Sequence, residues 1–135
     1  MRRLCDKHPF TRALAESTTG ALAELYSGRA GAAWPVTHDP EIVAPVDPST
    51  HLESFRPIPL LVLHSQADAV VPWASQALFV ERLRAHYAAV GADPSMIEVR
   101  TWPKTGAPGE HAGFGVKSNE AKALATAFLA AGIGS

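Results

Sequence analysis

The stretch Arg56 to Pro72, RPIPLLVLHSQADAVVP, restricts the fold more than any other part of the chain. From Ile58 to His64 it is apolar almost without a break. A strand with one wet face alternates polar and apolar residues, whereas a strand covered by helices on both faces is a continuous apolar run. The run therefore predicts a buried strand of a parallel sheet. Ser65-Gln66-Ala67-Asp68 breaks it, and Pro72 then opens a helical segment. Open α/β sheets place their chemistry at the carboxyl ends of parallel strands, which makes Asp68 the first candidate for a functional side chain.

Downstream the order of elements is clear. A helix is expected from about Trp73 to Val90, with Phe79, Val80, Leu83, Tyr87 and Val90 as its core stripe and Glu81, Arg82 and Arg84 outside. Gly91 ends it and Asp93-Pro94 turns the chain. Met96 to Trp102 alternates Ile97, Val99 and Thr101 with Glu98 and Arg100, the pattern of a strand nearer the sheet edge. A glycine-rich loop from Pro103 to Gly115 carries His111. A last helix, about Ser118 to Ala131, buries Ala121, Leu124, Ala125, Phe128 and Leu129, with Ser118 as its N-cap. Ile58 to Trp102 is thus a βαβ unit with parallel strands. Asp68 follows the carboxyl end of one strand and His111 that of the other, so the two should meet across adjacent loops.

The first 55 residues are less regular and are expected to form a helical and Pro-rich arm, distinct from an α/β portion at 56–135. Pro9 to Ser27 is a helix candidate with Phe10, Leu14, Ala21 and Leu25 near one face, and Gly28 and Gly31 end it. Its middle, Ser17-Thr18-Thr19-Gly20, is weak enough to make two short helices an equal reading. Ala32 to Pro57 carries Pro35, Pro40, Pro45, Pro48 and Pro57 and is expected to be a long loop, lid-like or packed on another segment. One helical turn is expected near Thr50 to Phe55. The 135 residues suffice for one modest domain, and 47% apolar with 19% charged residues fits a folded globular chain. A net charge of −1 gives no electrostatic reason to bind nucleic acid or an anionic membrane. No secretory signal follows Arg2 and Arg3, and no apolar run is long enough to span a bilayer. The single cysteine, Cys5, excludes an internal disulfide and fits a cytoplasmic location.

An Asp that accepts a hydrogen bond from a His holds the imidazole in one tautomer and stabilises the imidazolium formed when the ring takes a proton. Such a His activates a Ser or Cys within hydrogen-bond reach. The order strand-Asp-helix-strand-His-helix resembles the C-terminal part of the α/β-hydrolase fold, whose triad follows the order Ser, Asp or Glu, His. HSQADAVVP is similar to the family pattern H-G-x-x-D-x-x-V-P around the acid, and GEHAGF to the loop that holds the triad histidine. The likeness runs from Arg56 to the end of the chain and is nearest to dienelactone-hydrolase and prolyl-oligopeptidase-like esterases. It implies a carboxylic ester substrate, Asp68 as the acid, His111 as the base, and no metal or organic cofactor. Ser65 stands where the family has Gly. No G-x-S-x-G or G-x-C-x-G occurs in the sequence. The resemblance thus implies a βαβα C-terminal portion of a hydrolase, inactive alone, that pairs with a missing N-terminal half or with a second copy. The rival reading is a non-catalytic interaction or dimerisation module derived from the fold.

Other residues offer the same chemistry less well. Cys5 lies among Arg2, Arg3, Asp6 and Lys7, which would favour a thiolate, but it lacks a strand-turn-helix context. Ser65 is near Asp68 in sequence with no reason to meet His111. A helix-capping role for Asp68 fits poorly, because a cap belongs immediately before a first-turn Pro and Pro72 is four residues on. His64 is expected to be a satisfied structural histidine. Trp73 and Trp102, beside the two loops, are candidate substrate-binding residues, with core packing the alternative. His38, Asp39, His51 and Glu53 match no metal-ligand spacing. Glu110 is expected to be an exposed carboxylate that could tune His111.

Overall fold

The computed structural model describes residues 13–25 and 40–132. The apolar run from Ile58 becomes strand β2 at Leu60–Ser65, and every one of its residues is buried. A parallel partner on one side is β3, Ile97–Trp102, in the register Leu60 to Ile97 through Ser65 to Trp102. A second parallel partner on the other side is β1, Ala13–Glu16, which pairs Ala13 with Leu60 through Glu16 with Leu63. The sheet order is β1-β2-β3. Burial of β2 follows from its central place: both backbone edges are paired, and each face needs an apolar cover.

The two faces are covered by different helices. Helix α1 is a single turn at Leu22–Leu25, and α2, at Pro40–Val43, runs into 3₁₀ turns at Ala44–Val46 and Pro48–Thr50. Helix α3 spans Trp73–Ala89 and α4 spans Ser118–Ala130. Side chains alternate across a strand, so Leu60 and Val62 point to one face and Leu61 and Leu63 to the other. The first face packs with Ala15, Ile97 and the α3 residues Phe79, Val80, Leu83 and Tyr87. The second packs with Trp102, Phe114, Ala121 and Phe128 from β3, the loop after it and α4. Leu63 is fully buried between them, and its truncation to alanine would cost about 2–5 kcal/mol. The buried Tyr87 hydroxyl donates to the Ile58 carbonyl at 2.7 Å and accepts from the Ile58 N–H at 3.1 Å, which ties α3 to the entry of β2.

Several expectations need correction. Ala13–Glu16 is a strand, not part of a helix spanning Pro9 to Ser27; the rest of that segment is helical only at Leu22–Leu25 among the described residues. Residues 40–50 are helical turns rather than irregular loop, and no helix forms at Thr50 to Phe55. In the described part of the arm, Ala15, Ala21 and Phe55 lie in the same core as α3, and Ser49 N–H donates to the Gly20 carbonyl at 3.0 Å. At helix ends, Val90 is 53% exposed because α3 has already finished, and Leu129 is 42% exposed on the outer side of α4. Ser118 is the first residue of α4 rather than its cap, and Pro72 precedes α3 with extended geometry.

Candidate functional site

The site is built from the loops that leave β2 and β3. After Ser65 the chain turns at once: Asp68 N–H donates to the Ser65 carbonyl at 3.1 Å, and Gln66 N–H to the Trp102 carbonyl at 2.8 Å. The second bond continues the ladder between β2 and β3 into the loop and fixes where the turn starts. Asp68 then folds over the residues that follow it. Its Oδ1 accepts from the N–H groups of Val70 at 2.8 Å and Val71 at 2.7 Å. These bonds satisfy two backbone donors in the entry to α3 and orient the carboxylate, whose other oxygen points at the neighbouring loop.

That oxygen meets His111. The His111 Nδ1 to Asp68 Oδ2 distance is 2.9 Å, with the carboxylate side chain wholly buried and the imidazole 33% exposed. A carboxylate only accepts, so Nδ1 carries the proton and Nε2 is the nitrogen able to take one. The expectation that the two residues meet across the sheet edge thus matches their placement. His64 lies on the other side of Asp68, with Nε2 3.7 Å from the same Oδ2. Its shorter bond, 2.8 Å, is to the Val71 carbonyl, so Nε2 carries the proton. His64 Nδ1 is buried without a hydrogen-bond partner, so this histidine is only half satisfied. Burial pushes its pKa down, against the raising effects of the Val71 carbonyl bond and the Asp68 charge.

The His111 loop is held by its neighbour in sequence. Glu110 Oε2 accepts from Thr105 N–H at 2.6 Å, Ser65 Oγ at 2.7 Å and Thr105 Oγ1 at 2.8 Å, and Oε1 accepts from Gly106 N–H at 2.8 Å. Those donors, the Thr105 N–H first and the Ser65 hydroxyl next, bring its pKa down to about 2. Glu110 is thus a clamped carboxylate and not the free, exposed one expected. Ser65 is 1% exposed with its hydroxyl committed to Glu110, which gives the side chain in the tight turn a place to go and removes it as a nucleophile. Sequence reasoning missed this clamp. Its two members, a serine at the end of the strand and a glutamate beside the histidine, stand in the sequence with no local pattern that pairs them.

The remaining candidates fall apart in space. Trp102 is 4% exposed, its ring 5.3 Å from that of Phe114, and belongs to the core between β3 and α4 rather than to a pocket wall. Trp73 is half-buried, its ring centroid 5.4 Å from that of His64, and stays beside the Asp68 loop. His51 Nε2 is bonded to the Ala44 carbonyl at 2.8 Å, while Cys5, His38 and Asp39 lie outside the described residues. Among the described residues no group of three His, Cys, Asp or Glu side chains is placed to hold a metal ion. Likewise, no described helix is long and apolar enough to cross a membrane. Ser17 follows β1 on the same sheet edge as Asp68 and His111, with φ 45° and its N–H donating to the Leu63 carbonyl at 3.1 Å. No protein-family model, curated protein or solved structure matches the chain.

Proposed function

We propose that the chain provides the acid and the base of a Ser-His-Asp triad in a serine-type α/β-hydrolase acting on carboxylic esters, with the nucleophile supplied by another segment. The observation that carries the reading is the buried Asp68 carboxylate at 2.9 Å from His111 Nδ1, on the carboxyl edge of a parallel sheet. In that role Nε2 takes the proton from the attacking serine hydroxyl as its Oγ bonds to the ester carbonyl. The same proton then goes to the leaving alkoxide as the tetrahedral intermediate collapses. Asp68 does not change protonation; it keeps Nδ1–H in place and stabilises the transient imidazolium. A buried acceptor suits this task, since the pairing is stronger where water is excluded.

The test uses the chain as it is. A His–Asp pair without a serine should still hydrolyse an activated aryl ester slowly, through Nε2 acting on the ester or on water. His111→Gln should bring this rate down to the background that the other five histidines of the chain give. A fluorophosphonate probe should leave every serine unlabelled. Equal aryl-ester rates in the two proteins would remove His111 from the base role. Stoichiometric labelling at Ser17 would place the nucleophile inside the chain and overturn the part of the proposal that locates it elsewhere.

A further inference from the structure

We propose that Glu110 is a positioning residue for His111, its carboxylate locking the histidine loop to the turn after β2 and thereby setting the Nδ1 to Oδ2 approach. The inference rests on the reading of Asp68 and His111 as acid and base. Three consecutive residues each reach the 65–69 turn. The Gly109 carbonyl accepts from Ala69 N–H at 3.0 Å, the Glu110 carboxylate accepts from Ser65 Oγ at 2.7 Å, and His111 Nδ1 meets Asp68 at 2.9 Å. The outer two contacts flank the middle one, so a shift of residue 110 moves both.

The backbone supports the same conclusion. Gly109 and Glu110 have φ of 59° and 54° in succession, a left-handed pair that a glutamate adopts only where its surroundings hold it. Glu110 has the means to hold itself there, because its four donors come from Ser65, Thr105 and Gly106, with Ser65 and Thr105 both buried. Those donors turn the carboxylate toward Ser65, Thr105 and Gly106, so Glu110 acts on His111 through placement. The ionisable groups packed against the Asp68 carboxylate are His111 at 2.9 Å and His64 of β2 at 3.7 Å.

The experiment follows the His111 Nδ1–H proton by NMR in imidazole-labelled protein and measures its exchange with solvent. Glu110→Gln keeps the size but turns an amide N–H toward the Gly106 N–H, donor against donor. Exchange at His111 should accelerate by about tenfold or more, the scale of a lost charge-assisted hydrogen bond. Ser65→Ala removes one donor and should give a smaller acceleration, while Ser65→Thr, which keeps the hydroxyl, should restore the wild-type rate. Val80→Ala, a core truncation on the α3 face, lowers global stability and should leave this local rate unmoved. Should Glu110→Gln fold poorly, the Ser65 pair decides alone. Unchanged exchange in Glu110→Gln and Ser65→Ala, while Asp68→Asn abolishes the Nδ1–H signal, would overturn the positioning role and leave the dyad standing. An unchanged signal in Asp68→Asn would overturn the dyad, and the positioning role with it.

Discussion

Asp68 can be removed in two ways that the structure makes unequal. Alanine takes the acceptor from three donors: Val70 N–H, Val71 N–H and His111 Nδ1–H. Hydrogen bonds to a charged group contribute roughly 1.5–3 kcal/mol each. Val70 is 44% exposed, so water can replace its share, which leaves the other two to count. Asp68→Ala should therefore cost about 3–6 kcal/mol. Asparagine keeps Oδ1 for the two amides and loses only the charged bond to His111, so Asp68→Asn should cost about 1.5–3 kcal/mol. With a urea slope of roughly 1–3 kcal/mol per molar for a small domain, the two midpoints should differ by about 1 M. The asparagine NH₂ would also face Nδ1, which forces the ring proton onto Nε2, the nitrogen that the base function needs empty. Urea unfolding followed by far-UV circular dichroism measures the first effect, and ¹⁵N shifts of the labelled imidazole measure the second. Coincident midpoints, or survival of the Nδ1–H tautomer in Asp68→Asn, would refute the reasoning.

Three further outcomes follow from the same contacts. Gly115→Ala should be among the most damaging small changes in the histidine loop, because the new Cβ would overlap the Thr105 carbonyl oxygen and lie 2.7 Å from the Ala107 nitrogen at a φ of 48°. Backbone cannot yield as a side-chain tip does, so a loss of about 3 kcal/mol or more is expected in thermal or urea unfolding. Asp47, fully buried, accepts from Ala23 N–H and from the N–H and hydroxyl of Ser49, whose own hydroxyl receives the Arg82 guanidinium. Asp47→Ala should cost about 2–4 kcal/mol and loosen residues 20–25 and 47–50 first, as hydrogen exchange would report. Acid should weaken the fold in two steps. The folded-state pKa of His64 lies below its usual 6.5, so the unfolded chain binds that proton more tightly. Stability is then intact above pH 6.5 and falls as the pH drops below it, by at most about 1.4 kcal/mol per pH unit. Asp47 is the second step: burial would raise its pKa, but the bonds from Ala23, Ser49 and Leu22 outweigh that and hold it below 3.8, so its contribution disappears only at still lower pH. Urea midpoints across pH check both, and a His64→Gln protein should lose the first step.

The parts of the fold legible in the sequence are those where burial and local pattern agree. β2 is apolar at four successive positions because both of its faces are covered, and α3 shows its core stripe because Phe79, Val80, Leu83 and Tyr87 recur at helical spacing. β1 was hidden for the opposite reason. Ala-Leu-Ala-Glu is composed of the best helix formers, and only pairing with β2, some 45 residues away, makes it extended. Asp68 and His111 were legible through topology, since parallel strands deliver their following loops to one edge. The clamp was not, because Ser65 and Glu110 are 45 residues apart and nothing in either local pattern says that their side chains meet.

A purely structural account of this edge has to explain where the constraint is applied. The turn into α3 would be complete with Asp68 bonded to Val70 and Val71 alone. Yet its second oxygen is given to a histidine that keeps a third of its surface in solvent. That histidine is preceded by a left-handed glutamate fixed by four donors, and the loop carrying it packs against backbone so closely that Gly115 has no room for a methyl group. Such order in a surface loop is unusual, since loops are ordinarily the least restrained part of a domain. If the loop served only to join β3 to α4, a freely moving histidine would do as well. A partly exposed imidazole bonded to a buried carboxylate, on a loop pinned through Glu110 and Gly115, supports the proposed role of His111 as a base held ready for a third partner.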